Sequence, residues 1–316
     1  MNGSILTVTL NPAVDFAASA PRVFPDAKLR CGEPHVDPGG GGINVARAIR
    51  LLGGQAVALV AIGGATGAHL LQLLALEGVP AVAFQGPGET RQSFSITDTS
   101  TDEQYRFVMP GPEWRRSDVD RALKSIDQAA DHDAIVALSG SQPPGVAKEF
   151  PSLLAAHLAG RGARLIVDTS GPALLDLVRE PREAIHLLRM DSAEAEGLAG
   201  RTFPERADTA AFARELVSKG VAANVVVARG ADGSVLSCTE DSWHAVAPAT
   251  KVVSKVGAGD SFVGAFALSL ARGNSPQECL TMGVAAASAA VASEATRLCD
   301  PELVTDLLGR CKIDAI

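Results

Sequence analysis

Short, predominantly apolar runs fall at residues 5–10, 56–61, 133–138, 164–168, 185–189 and 224–229. A continuous apolar run of this length, rather than strict alternation, predicts a strand buried on both faces. Between most of these runs lie stretches with apolar residues at helical spacing: 43–52, 67–76, 118–129, 146–158 and 207–219. The last third, residues 260–310, is mostly helical in pattern. Buried strands alternating with helices predict a mostly parallel sheet covered on both faces, an α/β fold.

Two stretches depart from this pattern. Residues 11–37 and 83–110 lack helical spacing and carry alternating runs such as Gln92-Ser-Phe-Ser-Ile-Thr97 and Gln104-Tyr-Arg-Phe-Val-Met109. Two β-rich insertions into one α/β core predict a small β lid over the sheet edge. The 316 residues read as one large domain carrying that lid, without repeats or linkers.

Composition narrows the function. Apolar residues make up 47% and charged residues 20%, which supports a large core and argues against disorder. Aromatic residues are 4% of the chain, few for a surface that stacks bases or presents an aromatic interface. The net charge of −8 and the absence of a Lys/Arg block disfavour nucleic acid as a partner. Five cysteines, none in a CxxC pair, predict a reduced chain without a zinc knuckle. The first residues lack a basic segment ahead of a long apolar run, and no run of about 18 apolar residues occurs. The expectation is a cytoplasmic protein with no membrane contact.

Glycine carries the candidate chemistry. Val256-Gly257-Ala258-Gly259-Asp260 opens an apolar helix. Backbone N–H groups at such a start face outward and suit an anion. A carboxylate there has two readings: a helix N-cap, or a base that takes a proton from a hydroxyl while the amides hold a phosphoryl group. Pro38-Gly39-Gly40-Gly41-Gly42-Ile43-Asn44 is a second glycine-rich helix entry. Asn44 offers both a donor and an acceptor to a hydroxylated ligand. Neither stretch is GxGxxG, and no Walker A sequence, GxSxG elbow or HExxH is present. Ser139-Gly140-Ser141 ends a predicted strand, where α/β sheets bind ligands.

Taken in order, these segments resemble the ribokinase-like sugar kinases, in the phosphofructokinase-B branch. Residues 38–48 and 256–266 look like its two signatures, and Thr9-Leu-Asn-Pro-Ala-Val-Asp15 like the opening of its 1-phosphofructokinases and tagatose-6-phosphate kinases. Lys28-Leu-Arg-Cys31, Gly63-Gly-Ala-Thr-Gly67, Glu103-Gln-Tyr-Arg-Phe-Val-Met-Pro-Gly111 and Thr296-Arg-Leu-Cys299 are similar to its bacterial ATP-dependent 6-phosphofructokinases. The resemblance implies a ribokinase-like three-layer core and ATP-dependent phosphorylation of a ketohexose phosphate. Fructose 6-phosphate is favoured over fructose 1-phosphate or tagatose 6-phosphate.

It further implies Asp260 as base and Gly257, Ala258 and Gly259 as anion hole. Asp15, Gly40 and Asn44 would bind sugar hydroxyls, and Lys28, Arg91, Arg106 and Ser139 the substrate phosphate. Arg189, Asp191, Ala228, Gly230, Gly233, Lys255, Ala287 and Ser288 would line the nucleotide site. Asp191 and Glu194 would serve magnesium through water in the metal's shell, and Ser254, Val256, Ala290, Ser293, Ala295 and Arg297 a potassium loop. A homodimer through the lid is expected.

The chain departs from the family pattern at three points. Arg189-Met190-Asp191 stands where Lys-Pro-Asn is usual, Ala228 where Ser is common, and Lys255 where Thr is found. Asp191 and Ala228 keep a second functional class in view: a non-catalytic sensor of sugar phosphates or nucleotides.

Overall fold

The computed structural model describes residues 3–294 and 296–316. Fourteen strands form two sheets: β1 (Ile5–Thr9), β2 (Ala13–Ala20), β3 (His35–Gly39), β4 (Val57–Ile62), β5 (Ala81–Gln85), β6 (Arg91–Asp98), β7 (Glu103–Val108), β8 (Ile135–Ser139), β9 (Arg164–Asp168), β10 (Ile185–Asp191), β11 (Ala222–Ala228), β12 (Ser234–Ser237), β13 (Ser242–Val246) and β14 (Lys312–Ala315). Ten helices accompany them: α1 (Gly41–Leu51), α2 (Gly64–Leu76), α3 (Arg116–Ala129), α4 (Phe150–Ala159), α5 (Gly171–Arg179), α6 (Ser192–Ala199), α7 (Arg206–Ser218), α8 (Ala258–Ala271), α9 (Pro276–Val291) and α10 (Pro301–Leu308).

The large sheet runs β14-β13-β12-β11-β10-β9-β8-β1-β4-β5. The pairs from β11 to β5 are all parallel, and β12, β13 and β14 extend the edge antiparallel. Successive strand residues point to opposite faces, so each apolar run feeds two cores. On one face Leu6, Val8, Val136, Leu138, Val225 and Val227 pack under α3, α4 and α7. On the other, Ile5, Ala58, Val60, Ile135, Ala137 and Val226 pack under α1, α2, α8 and α9. The result is a three-layer α/β/α core.

From β1 the chain builds outward through β4 and β5, then returns to the far side of β1 with β8. That reversal between β1 and β8 opens a crevice beyond their carboxyl ends, the usual place for a ligand in such sheets. The small sheet has the order β3-β2-β6-β7, with β2 and β6 parallel and its other pairs antiparallel. Its strand β3 runs directly into Gly40 and α1, and β2 follows β1 across three residues, so both lead away from the crevice.

Several local readings need revision. Helix α4 begins at Phe150, not at residue 146, because Pro151 has no N–H to give and fits only in a first turn. Helices α5 and α6 and the antiparallel strands β12–β14 go unsignalled by the pattern, and residues 83–85, read as the start of the second insertion, belong to β5 at the edge of the large sheet, so the small sheet takes up the chain only from β6. Five of the few aromatics, Phe16, Phe24, Phe94, Tyr105 and Phe107, lie on or beside the small sheet; Phe16 and Phe94 stack at 5.3 Å, and Phe24 and Phe107 are each 48% exposed. The scarcity of rings in the whole chain concealed their concentration here. All five cysteines are free thiols, and among the described residues no helix is long and apolar enough to cross a membrane.

Candidate active site

Asp260 sits in the first turn of α8, whose N-cap is Gly257 at φ 76°. Its side chain therefore does not cap the helix, which removes the structural reading of this carboxylate. Gly257 adopts a left-handed conformation that costs glycine nothing. The N–H groups that follow have no acceptor within the helix and lie at the positive end of its dipole.

Asp260 is held from two directions. Asn44 Nδ2 on α1 donates to Oδ2 at 3.0 Å, and Ser139 Oγ at the end of β8 lies 3.3 Å from Oδ1. The same hydroxyl lies 3.3 Å from Asp168 Oδ2, and Arg189 Nη1 donates to Asp168 Oδ1 at 3.2 Å. Ser139, Asp168 and Arg189 are adjacent rungs of the sheet, paired in register across β8, β9 and β10. Burial, reinforced by the Asp168 charge, pushes the Asp260 pKa up to about 6, while Asn44, Arg189 and Ser139 pull it back. Arg189 stays firmly charged: burial opposes its charge but is outweighed by Asp168. A Cβ on Gly259 would lie 2.9 Å from Arg189 Nη1, so this glycine lets the guanidinium rest against the helix start.

The glycine run of residues 39–42 exists for close approach. A Cβ on Gly41 would stand 2.5 Å from Gly140 N and Ser139 Oγ, and one on Gly42 would stand 2.5 Å from Val8 O. Gly40 has φ 119°, which L side chains rarely adopt. A Cβ on Gly39 would meet the Asp15 carboxylate at 2.0 Å, so Asp15 lies across the start of this loop. Asp15 pairs with Ser93 across β2 and β6, and burial raises its pKa against the pull of Arg91, Ser93, Arg106 and Arg47. Arg91 Nε donates to Asn11 O at 3.2 Å and Nη1 to Ser93 Oγ at 3.0 Å. Burial lowers the Arg91 pKa and Asp15 offsets it.

The predicted residues thus fall into distinct groups. Asp260, Asn44 and Ser139 meet directly, Arg189 joins them through Asp168, and Asp15 and Arg91 lie along the adjoining sheet. Arg106 is exposed on β7, near enough for its charge to reach Asp15. Lys28 is exposed in the loop between β2 and β3.

On the other side of Arg189, Asp191 is paired in register with Ala228. Gly230 and Gly233 both have positive φ in the turn after β11, and a Cβ on Gly233 would collide with Ala245 O at 2.0 Å. Ser288 O accepts from Thr250 Oγ1 at 3.3 Å; Ala287 is half-buried and Lys255 exposed.

Asp191 is the N-cap of α6. It accepts from Glu194 N at 2.9 Å, and Glu194 Oε2 accepts from Asp191 N at 2.8 Å. Burial raises the Glu194 pKa, with the charges of Asp191 and Asp168 adding to it. Among the described residues no three His, Cys, Asp or Glu converge into a metal cage. In the segment read as a potassium loop, Val256 N donates to Ser254 Oγ at 3.1 Å, while Ser293 N donates to Ala290 O at 3.1 Å and Arg297 N to Glu294 O at 3.1 Å. Ala295 lies outside the described residues.

Sequence reasoning missed Asp168. It ends a strand with no motif around it, and only its register between Ser139 and Arg189 gives it a place in the site.

A family model described as "pfkB family carbohydrate kinase" matches residues 6–303. The chain is 42% identical to the ATP-dependent 6-phosphofructokinase isozyme 2 of Escherichia coli, over 93% of this chain and 94% of that protein. It is 35% identical to the 1-phosphofructokinase of Rhodobacter capsulatus, over 82% of this chain and 81% of that one. The crystal structure of Escherichia coli phosphofructokinase-2 with potassium superposes with a TM-score of 0.91 at 40% identity, covering 97% of this chain and 98% of the other. That enzyme has also been solved with fructose-6-phosphate and in a tetrameric inhibited form, each at a TM-score of 0.90 and 39% identity with the same coverage.

Proposed function

Because the chain belongs to the pfkB family of carbohydrate kinases, we propose that it transfers the γ-phosphoryl group of ATP to a phosphorylated ketohexose, fructose 6-phosphate at its 1-hydroxyl. The observation that carries this reading is Asp260 itself. A carboxylate with a pKa near 6 stands in the first turn of a helix whose free amides face the same space, at the reversal point of a parallel sheet. A base poised near neutrality beside a ready anion site is what transfer to an alcohol requires.

In this reading Asp260 takes the proton of the attacking hydroxyl. Gly257, Ala258 and Gly259 hold the transferring phosphoryl through their N–H groups. Asp15, Gly40 and Asn44 orient the sugar hydroxyls. Arg91, with Lys28, Arg106 and Ser139, binds the phosphate already on the sugar, since a dianion needs fixed cations and charge-assisted hydrogen bonds. The small sheet, formed from residues 13–39 and 91–108, acts as the lid of a single kinase domain. Its exposed Tyr105, Phe107 and Val108 suit pairing with a second copy.

ATP lies toward Arg189, Ala228, Gly230, Gly233, Lys255, Ala287 and Ser288. Asp191 and Glu194 suit magnesium because their carboxylates are crowded with a third, Asp168, and the Asp191 N–H and Arg189 offset that crowding on Glu194 without cancelling it. Magnesium keeps most of its water and binds through one or two carboxylates plus phosphates, so the lack of a closed cage among the described residues fits. When bound it neutralises phosphate charge. A monovalent cation near Ser254, Val256, Ala290, Ser293 and Arg297 is proposed by analogy with the potassium-bound relative.

The deciding experiment is ADP release with Mg-ATP and each of fructose 6-phosphate, fructose 1-phosphate, tagatose 6-phosphate, fructose and ribose. Fructose 6-phosphate is expected to give the highest kcat/KM. A preference for fructose 1-phosphate would move the assignment to the activity of the Rhodobacter relative. No ADP release with any sugar would leave a sensor.

Asp191 allows a separate test. Asn and Asp cap helices about equally, so Asp191→Asn is expected to leave the melting temperature within about 1 °C of the parent, since a few tenths of a kcal/mol shifts a chain of this size by less than that. The magnesium concentration for half-maximal rate is expected to change. An unchanged magnesium titration would remove Asp191 from the metal's surroundings.

A further inference from the structure

Arg47 is a buried arginine on α1, 7% exposed, that no step of the proposed reaction uses. It has five N–H groups and each finds an acceptor. Nε and Nη2 reach the two oxygens of Glu77 at 2.6 and 2.7 Å, and Nη2 also reaches Asp37 Oδ1 at 3.2 Å. Nη1 donates to Pro38 O at 3.2 Å and to Asn44 Oδ1 at 3.3 Å. Asn44 and Arg47 are three residues apart on one helix, so they share a face. Asp37 in turn accepts from Thr296 Oγ1 and lies 3.1 Å from His35 Nε2.

The contact to Asn44 has a chemical consequence. An asparagine amide has one end that accepts and one that donates. With Arg47 on the oxygen, the nitrogen is turned onto Asp260 Oδ2 at 3.0 Å. Were the amide reversed, its oxygen would face the carboxylate and its N–H groups would face a guanidinium, and both contacts would be repulsive.

We propose that Arg47 is a positioning residue for phosphoryl transfer. It sets the orientation of the Asn44 amide, and through Asp37 and Pro38 it fixes the strand that leads into the glycine loop. The proposal rests on the reading of Asp260 as base. Lysine cannot replace it: an ammonium has three N–H groups and no planar fork, and cannot reach Glu77, Asp37, Pro38 O and Asn44 together. The groups that face Asp260 are Asn44 from α1, Ser139 from β8, Asp168 from β9 and Arg189 from β10, and only the Asn44 contact depends on Arg47.

The test is the pH profile of kcat with saturating fructose 6-phosphate and Mg-ATP, for the parent, Arg47→Lys, Asn44→Ala and the double variant. Arg47→Lys is expected to lower kcat by about tenfold to a hundredfold and to move the acid limb up by roughly one pH unit, because Asp260 loses a donor that favours its charged form. In the Asn44→Ala background the same substitution is expected to leave the limb where it is. A folded Arg47→Lys whose limb coincides with the parent's overturns the proposal, as does an equal shift in both backgrounds. If circular dichroism shows Arg47→Lys unfolded, Glu77→Gln decides: it loosens the same guanidinium and must move the limb in the same direction, and an unmoved limb is equally fatal. Asp260→Ala is assayed beside them. If it turns over normally the base reading fails and Arg47 with it; if it is inactive while the limb stays put, only the Arg47 proposal falls.

Discussion

Asp260→Ala is expected to lower kcat by about 10³-fold to 10⁴-fold, the upper range for general base catalysis, while the Kd for fructose 6-phosphate stays within about threefold. The split follows from the geometry. The carboxylate stands in the first turn of α8 beside free amides, whereas Asp15 and Arg91 lie along the small sheet and remain untouched by the substitution. Single-turnover phosphoryl transfer and equilibrium sugar binding separate the two effects. A near-native rate would remove Asp260 as the base. In the parent the rate should fall as pH drops through about 6, because only the unprotonated carboxylate accepts a proton.

The same pKa has a consequence for stability. A carboxyl group raised from 3.8 to about 6 in the folded state destabilises the fold above pH 6, and that effect vanishes below the unfolded value near 4. Asp260→Asn should therefore melt higher than the parent at pH 8 and no higher at pH 4.

Most of the core was legible because the central parallel strands are buried on both faces and so read as nearly continuous apolar runs; β5, parallel but mostly exposed at the sheet edge, was not. The antiparallel edge was not, since β12, β13 and β14 are only four or five residues each and their apolar runs are too short to register. The site was legible where glycine marks it. Gly41, Gly42 and Gly259 have no room for a Cβ, and each sits within a few residues of a group that acts: Asn44 or Asp260. Asp168 and Arg47 carry no such mark. One gains its place from strand register, the other from a helical turn that sets it beside Asn44, and both relations exist only once the chain is folded. The ambiguity over Asp260 was also local. Gly-Ala-Gly-Asp fits a cap at either Gly257 or Asp260, and the backbone chooses Gly257.

Arg189→Met is expected to be the most damaging change on the nucleotide side: a loss of about 2–3 kcal/mol in unfolding free energy and about 100-fold in kcat. Arg189 and Asp168 are 16% and 13% exposed, so the pair is shielded from water without being dry. Removing one partner of such a pair leaves the other charge uncompensated, which costs about 3–5 kcal/mol when burial is complete and less here. Asp168 would then face Asp260 and Glu194 with no cation among them, and each of those carboxyl groups already has a raised pKa to which the Asp168 charge contributes. The Asp260 limb of the rate profile should move upward, because Arg189 is one of the groups holding it down. Arg189→Lys separates charge from shape. An ammonium can still pair with Asp168 but cannot lie flat against Gly259, where the guanidinium now rests. It is expected to keep kcat within about tenfold and most of the stability, since lysine is the residue that the resemblance places here. If Met stayed as active as Lys, the positive charge would have no part in transfer. If Lys failed as badly as Met, the planar contact with the start of α8 would be the essential feature, and Arg189 would belong to the anion site as much as to the nucleotide's.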